Sequence, residues 1–458
     1  MRESDYFLAE FERLSLLEPR DAPLWLRAIR KSGIAHFAEA GFPTLQNEEW
    51  KYTNLDVLRD RQFKTAVKDP ALESQAAVLE LEPWFNAIPV RLVFVNGHYA
   101  PGLSHCPETA GGLKVSSLRQ AVQDQARVLE HHLARYARPS GQPFVALNTA
   151  FFQDGAVIHA EKNVNDPRPV HLIYIATRAD SGTAFHTRNL IVAEAGSRLA
   201  VVETHISAGT GQYYTNSVSE IFLGENATVE HLKIQQESPG ACHMATVQAH
   251  QEANSHFTSH SIALGGRLAR NDIRAVFNGP GAECLMNGLY IASGHQVIDH
   301  HTVIDHAKPH CSSHEHYQGI MAGSARGVFN GKILVRKDAQ KTDAKQTNRN
   351  LLLSENAVID TKPQLEIFAD DVKCTHGATV GQLSGEALFY LRARGIGLED
   401  ARRMLIQAFA SQVLGRIAIS GIAPLLEKTV LERIGGIALP DEAGRNKSAV
   451  SDERNFNA

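Results

Sequence analysis

The sequence predicts a mainly β protein in which a central β core carries helical modules at both ends. Three observations predict it. Between about Asp154 and Leu383, short β-branched runs alternate with Gly, Asn and Asp turns, and no amphipathic helical period appears. On either side of that stretch, apolar residues recur at helical spacing. At 458 residues and 50.2 kDa the chain exceeds what one compact core usually covers, so several modules are expected.

The N-terminal module reads mainly as helix. Pro23 suits a first turn, Leu24, Leu26, Ile29, Ile34 and Phe37 follow at helical spacing, and Gly41 with Pro43 makes a stop. A strand signal from Val90 to Gly97 interrupts the module. A second helical pattern runs from Leu118 to Tyr136, and Pro139 and Gly141 break it.

Within the β core, Val170–Ile175 and Leu199–Glu203 read as strands. A loose echo recurs at Glu194–Ser197, Glu225–Thr228, Glu252–Ser255, Gly281–Cys284 and Glu355–Val358, each leading from a turn into a strand. Ala227 and Ala253 stand 26 residues apart, and Ala253 and Ala282 stand 29 apart. That spacing is too irregular for propeller blades but suits stacked coils of a parallel β-helix; on pattern alone, a large sandwich is the alternative.

After Gly381 the helical period returns. Ser384 is placed to cap a helix through Leu388, Phe389, Tyr390 and Leu391 that ends at Gly395. Glu399 and Asp400 suit the start of a second helix bearing Met404, Leu405, Ala408, Phe409, Val413 and Ile417. This apolar stripe either packs on the β core or docks a partner. The expected organisation is a mainly helical domain over 1–150, a β-helix core over 151–383, a helical partner-binding domain over 384–435 and a polar tail over 436–458.

Composition narrows the function classes. With 43% hydrophobic and 21% charged residues, a net charge of -4 and a pI near 6.6, the chain is globular and lacks a basic footprint for nucleic acid. Charges at Arg2, Glu3 and Asp5 leave no apolar leader, and no stretch approaches the ~20 apolar residues of a spanning helix, so a cytosolic location away from membranes is expected. Five scattered cysteines without a Cys-x-x-Cys pair fit neither a disulfide framework nor a zinc ribbon. Gly331-Lys332 lacks the upstream glycine and the following hydroxyl of a phosphate loop, and His314-Glu315-His316 has Gln318 where a zinc protease needs histidine. No nucleophile elbow or dinucleotide loop is present.

Two clusters hold potential ligands. His300, His301, His306, His310, Cys311, His314 and His316 crowd one part of the β core, and a metal-dependent hydrolase built on them is the enzyme alternative. On a strand His314 and His316 share a face whereas His300 and His301 diverge, so this cluster divides between faces. The sharper candidate is Asp370–Gly381, where Cys374 and His376 share a face and offer one sulfur and one imidazole. Lys373 beside the thiol is expected to favour the thiolate. Two ligands do not close a metal site, so a second chain or segment must complete it.

The stretch from Pro363 to Gly381, with Ala387–Ile396, Val328–Ile333, Ala344–Asn348 and Leu351–Ser354, resembles the SufB/SufD family of iron-sulfur cluster assembly proteins. Within it the chain looks like the SufD branch, because His376-Gly377-Ala378-Thr379-Val380-Gly381 follows the cysteine closely and Glu48–Thr53 resembles that branch's N-terminal module. The resemblance covers the whole chain and is strongest from about Asp299 to Ile417.

That resemblance implies a central right-handed parallel β-helix between helical domains. It also implies a non-catalytic subunit that pairs with a SufB paralogue through the β-helices and holds SufC, an ABC-type ATPase, through the C-terminal helices. Self-pairing as a homodimer is implied when the partner is missing. The family's functional histidine at the SufB interface maps onto His376 and its neighbouring cysteine onto Cys374, which implies a transient iron or iron-sulfur cluster shared with SufB and no permanent cofactor. Phe389, Tyr390, Leu391, Arg394, Met404 and Phe409 are the expected SufC contact.

Overall fold

The computed structural model describes residues 3–17, 22–69, 84, 87–107, 111–177, 182–419 and 421–437. The N-terminal region contributes α1 (Glu3–Ser15), α2 (Leu24–Ala40), a 3-10 turn at Glu48–Trp50, α3 (Asp56–Arg59), β1 (Lys64–Thr65), β2 (Val90–Val95), β3 (His98–Tyr99) and β4 (Leu113–Ser117). Helices α4 (Leu118–Asp124), α5 (Ala126–His132) and α6 (Pro143–Phe151) follow.

Sixteen strands then form the core. They are β5 (Ala156–Ala160), β6 (Val170–Ala176), β7 (Thr183–Ala193), β8 (Arg198–Ser207), β9 (Tyr213–Leu223), β10 (Thr228–Gln236), β11 (Cys242–Gln251) and β12 (His256–Ala263), with β13 (Leu268–Phe277), β14 (Glu283–Ala292), β15 (Val297–His306), β16 (Ser312–Met321), β17 (Arg326–Val335), β18 (Asp343–Leu352), β19 (Val358–Ile367) and β20 (Lys373–Gly381). Helices α7 (Gly385–Arg392), α8 (Leu398–Leu414) and α9 (Ala423–Gly435) close the described chain.

The odd strands from β5 to β19 and the even strands from β6 to β20 form two separate sheets. Each core strand pairs in parallel with the strand two further along, so the chain winds through about seven coils of a solenoid. A sandwich of hairpins is thereby replaced by stacked coils. Strands β2 and β3 extend the even sheet and β4 extends the odd one, so the strand signal at Val90 belongs to the solenoid sheets and not to the helical layer.

One row of corners explains the echo. Asn163, Gly196, Asn226, Asn254, Gly281, His310 and Lys341 each sit at positive φ, between 55° and 71°, at successive corners that lead from an odd strand into an even one. The amide of each donates to a carbonyl in the next corner, from Asn163 N to Ala195 O at 2.9 Å through Lys341 N to Asp371 O at 2.7 Å. Left-handed backbone favours Gly and Asn, which is why the four echoes at these corners place Gly196, Asn226, Asn254 and Gly281 there. The fifth, Glu355–Val358, lies between β18 and β19 in the opposite row of corners and belongs to a different turn.

Each sheet carries one helical layer on its outer face. Phe7, Phe37, Phe42, Trp50, Phe144 and Phe151 pack with Ala184, Tyr214, Met244 and Leu268 of the odd sheet. Ile406, Ala410, Val413, Leu426, Val430 and Ile434 pack with Val202, Leu232, Ile262, Leu289 and Ile320 of the even sheet.

Several elements differ from the sequence expectation. The helical pattern at Leu118–Tyr136 is two short helices divided at Gln125, the first closed by a capping box between Ser117 and Gln120. Pro23 caps α2 from outside its first turn. Helix α6 gives no amphipathic signal because eight of its nine residues are buried, among them Asn148 and Thr149. The C-terminal hairpin gains a third helix, α9, which begins with Pro424 in its first turn. The tail residues Pro440, Asp441, Arg445, Asn446, Lys447 and Asp452 lie outside the described residues.

Candidate functional site

The solenoid interior is apolar at its margins and polar in its middle coils. Glu203 accepts from Ser219 Oγ at 2.6 Å and faces His231 Nε2 at 3.1 Å. Lys233 Nζ lies 2.6 Å from His243 Nε2 and 2.8 Å from Asn271 Oδ1, and His243 Nδ1 meets Glu237 at 2.6 Å. The geometry assigns a neutral His243, protonated at Nδ1, that accepts from the lysine ammonium. Burial pushes the His243 pKa down to about 3 and that of Lys233 down to about 8.

The histidines from His300 to His316 are parted by the fold. His300 and His306 point inward and meet Ser261 Oγ at 3.0 Å and Ser313 Oγ at 2.8 Å. Burial pushes both down to about 3. His301 points outward, His310 is a left-handed corner residue, and Cys311 is buried with its sulfur 3.5 Å from Gly279 O. His314 and His316 lie on the outer face of the other sheet. Among the described residues, no three His, Cys, Asp or Glu side chains are grouped to hold a metal ion, so the hydrolase alternative has no centre there.

A charged cluster fastens Glu48–Thr53 to the odd sheet. The Arg270 guanidinium lies 3.6 Å over the Trp50 ring, donates to Glu49 O at 2.7 Å and pairs with Asp299 at 2.9 Å and Asp272 at 3.0 Å. Thr53 Oγ1 donates to Asp299 at 2.5 Å, and His301 bridges Asp299 at 3.0 Å and Glu49 at 3.3 Å. Against burial, His301 and Arg270 hold the Asp299 carboxyl well below the usual carboxylate range. Sequence reasoning missed this cluster because its members are 250 residues apart in places; Trp50 beside two acidic residues was the only local signal.

Cys374 and His376 lie on β20, the last strand of the even sheet. Cys374 packs with Ile333, Val335, Ala344 and Ala369, which fixes the inward face of the strand, and His376 shares that face two residues on. Among the described residues, strand β20 pairs only with β18, and β19 only with β17, so the final coil presents open edges. His376 is exposed and Cys374 half-buried. On the same final coil Val358, Ile367, Phe368 and Val380 are exposed, Phe368 by 63%. Burial, with Asp343 nearby, raises the Cys374 thiol. The expected thiolate enrichment by Lys373 is therefore reversed, because adjacent strand residues face opposite ways and the lysine points outward.

The predicted C-terminal contact divides. Phe389, Tyr390 and Met404 are exposed by 75%, 55% and 46%, and Arg394 stacks 3.4 Å over the Tyr390 ring. Leu391 is half-buried. Phe409 instead packs toward the solenoid beneath Arg349, with Val413 and Ile417 buried beside it. The stripe of α8 thus packs on the β core, and the open apolar face belongs to α7 with Met404.

Comparison with known proteins places these features in a family. Residues 3–172 match the family described as SufBD protein N-terminal region, and residues 174–409 match the SUF system FeS cluster assembly SufBD core domain. The chain is 34% identical over 408 residues to the iron-sulfur cluster assembly protein SufD of Escherichia coli, covering 88% of this chain and 90% of the relative. An iron-sulfur cluster assembly SufBD family protein of Synechocystis is 34% identical over 396 residues, covering 85% and 86%. The Bacillus subtilis SufD is 26% identical over 427 residues, covering 92% and 96%. Among the described residues no helix is long and apolar enough to cross a membrane.

Proposed function

The chain belongs to the SufBD family of iron-sulfur cluster assembly proteins, and on that premise we propose that it is a non-catalytic scaffold subunit. It pairs with a SufB paralogue across the open final coil and holds a SufC-type ATPase on the exposed face of α7. His376, with Cys374, contributes to iron capture or nascent cluster binding at the paired surface, and iron or the cluster is cargo.

The observation that carries this reading is the final coil. Two candidate ligand residues sit on the edge strand of the final coil, which also exposes apolar side chains, in a chain with no closed metal site among its described residues. An unpaired edge with an apolar border is a surface that pairs with another strand or coil, and a partner across it is positioned to add the remaining ligands. Imidazole and thiol suit iron, and a half-buried thiol with a raised pKa stays protonated until a metal or a partner's charge draws off its proton.

The test is reconstitution of the purified chain with a SufB homologue and a SufC-type ATPase. His376→Ala is expected to leave the complex assembled and to abolish the iron and sulfide it acquires. Removal of the chain after Gly381 is expected to remove SufC binding and spare SufB pairing. Unchanged cluster loading in His376→Ala, or SufC retained after the truncation, would refute the assignment.

A further inference from the structure

A metal-binding imidazole is usually held by an acceptor for its second nitrogen, which fixes both tautomer and ring orientation. The strand beneath His376 supplies a candidate. In the parallel pairing of β18 with β20, Gln346 is the register partner of His376, and both side chains lie on the inward face. Gln346 is only 2% exposed, and its amide lies across the solenoid interior over Gly331, where a Cβ would come within 2.1 Å of Nε2. One coil further in, Glu315 is the register partner of Gln346 and accepts from that Nε2 at 2.5 Å.

This contact sets which way the amide points. A carboxylate accepts and does not donate, so the NH2 end of Gln346 must turn inward and its carbonyl must turn away from Glu315. That carbonyl, Oε1, is buried and without a hydrogen-bond partner. Burying an acceptor without a partner costs free energy, and folded proteins seldom leave one so. No hydrogen bond joins it to His376 in the structure; the two residues are register partners on adjacent strands.

We propose that Gln346, oriented by Glu315, is the positioning residue for His376: its carbonyl accepts a hydrogen bond from one ring nitrogen and leaves the other nitrogen as the metal-binding atom. The inference rests on the reading of His376 as a ligand, but its geometry is readable without metal. Burial raises the Glu315 carboxyl to about 7, opposed by the Gln346 amide, so the orienting charge is in place above that value, where the tautomer is read.

The experiment is nitrogen NMR of the full-length chain with labelled histidine, above the histidine titration range, the His376 signals being identified by their loss in His376→Ala. One dominant His376 tautomer is expected in the wild type. Glu315→Gln, which keeps shape and removes only the orienting charge, lets the amide flip and is expected to populate the second tautomer. Gln346→Met is expected to mix both. In the reconstituted complex, Gln346→Met should weaken iron(II) retention about ten-fold. The same tautomer ratio in wild type, Glu315→Gln and Gln346→Met would overturn the inference while leaving His376 as a ligand. Normal cluster loading in His376→Ala would instead remove the reading beneath it.

Discussion

Replacing Arg270 by methionine should release the N-terminal segment from the solenoid without unfolding the coils beneath. The arginine is buried and holds two carboxylates, one backbone carbonyl and the Trp50 ring at once. Breaking a buried ion pair by removing one partner costs about 3–5 kcal/mol, because the orphaned charge stays buried, and a desolvated cation–π contact adds about 2 kcal/mol. A loss of about 3 kcal/mol confined to the docking contact already speeds local opening roughly a hundred-fold. Native-state hydrogen exchange reads this at the Trp50 and Thr53 amides, which are bonded to Asn47 O and Trp50 O, against the strand amides of β9 as the internal control. Arg270→Lys should fail to restore protection, since an ammonium has no fork for Asp272 and no plane to stack on Trp50. Unchanged exchange at Trp50 and Thr53, or an equal loss across β5–β12, would refute the account.

The same contact has a pH window. Burial and Arg270 oppose charge on His301, but the Asp299 and Glu49 carboxylates prevail and raise its pKa. Its contribution is therefore complete below the ordinary histidine value of ~6.5 and is lost as pH rises through the raised folded value. The hydrogen bond from His301 lowers Glu49, and Asp299 is lowered as well. Their contribution is complete above the ordinary carboxylate value of ~4 and is lost as pH falls through the depressed folded values. Protection at Trp50 and Thr53 should peak between these limits.

Three further outcomes follow from other sites. Gly281→Ala should destabilise the chain by about 1–3 kcal/mol in chemical denaturation, because φ is +70° and the new methyl would stand 2.4 Å from Asn254 Oδ1. Lys233→Met should flatten the rise in stability that the wild type shows between about pH 8 and the unfolded lysine value near 10.5, since the buried ammonium sheds its proton earlier than the unfolded chain does. In the isolated chain, Cys374 should be alkylated more slowly at mildly alkaline pH than a free cysteine, read by mass spectrometry in a Cys106→Ser background, since burial raises its thiol.

The fold was legible where local chemistry repeats. Gly196, Asn226, Asn254 and Gly281 advertise left-handed corners, and the coil spacing followed from them. His310 and Lys341 occupy the same corner position without the usual residue types, so the later coils could not be counted from sequence, and His310 was drawn into a ligand cluster. The buried α6 was invisible because a helix enclosed on every side has no polar face to set a period. At the candidate site, strand alternation correctly placed Cys374 and His376 on one face, whereas the thiol's environment depended on Ala344 and Ile333 from earlier coils. Gln346 carries no signal of its own; only the register of β16, β18 and β20 stacks it between Glu315 and His376.

The polar middle of the solenoid also has a calorimetric consequence. Heat-capacity increments on unfolding come from newly wetted apolar surface and are reduced by newly wetted polar surface. Glu203, Lys233, Glu237, His243 and Asn271 occupy positions that most proteins fill with aliphatic side chains. Melting these coils should therefore take up less heat capacity per residue than the usual ~12–15 cal/mol/K, giving a stability curve that is broad and shallow in temperature and a cold-denaturation limit displaced downward.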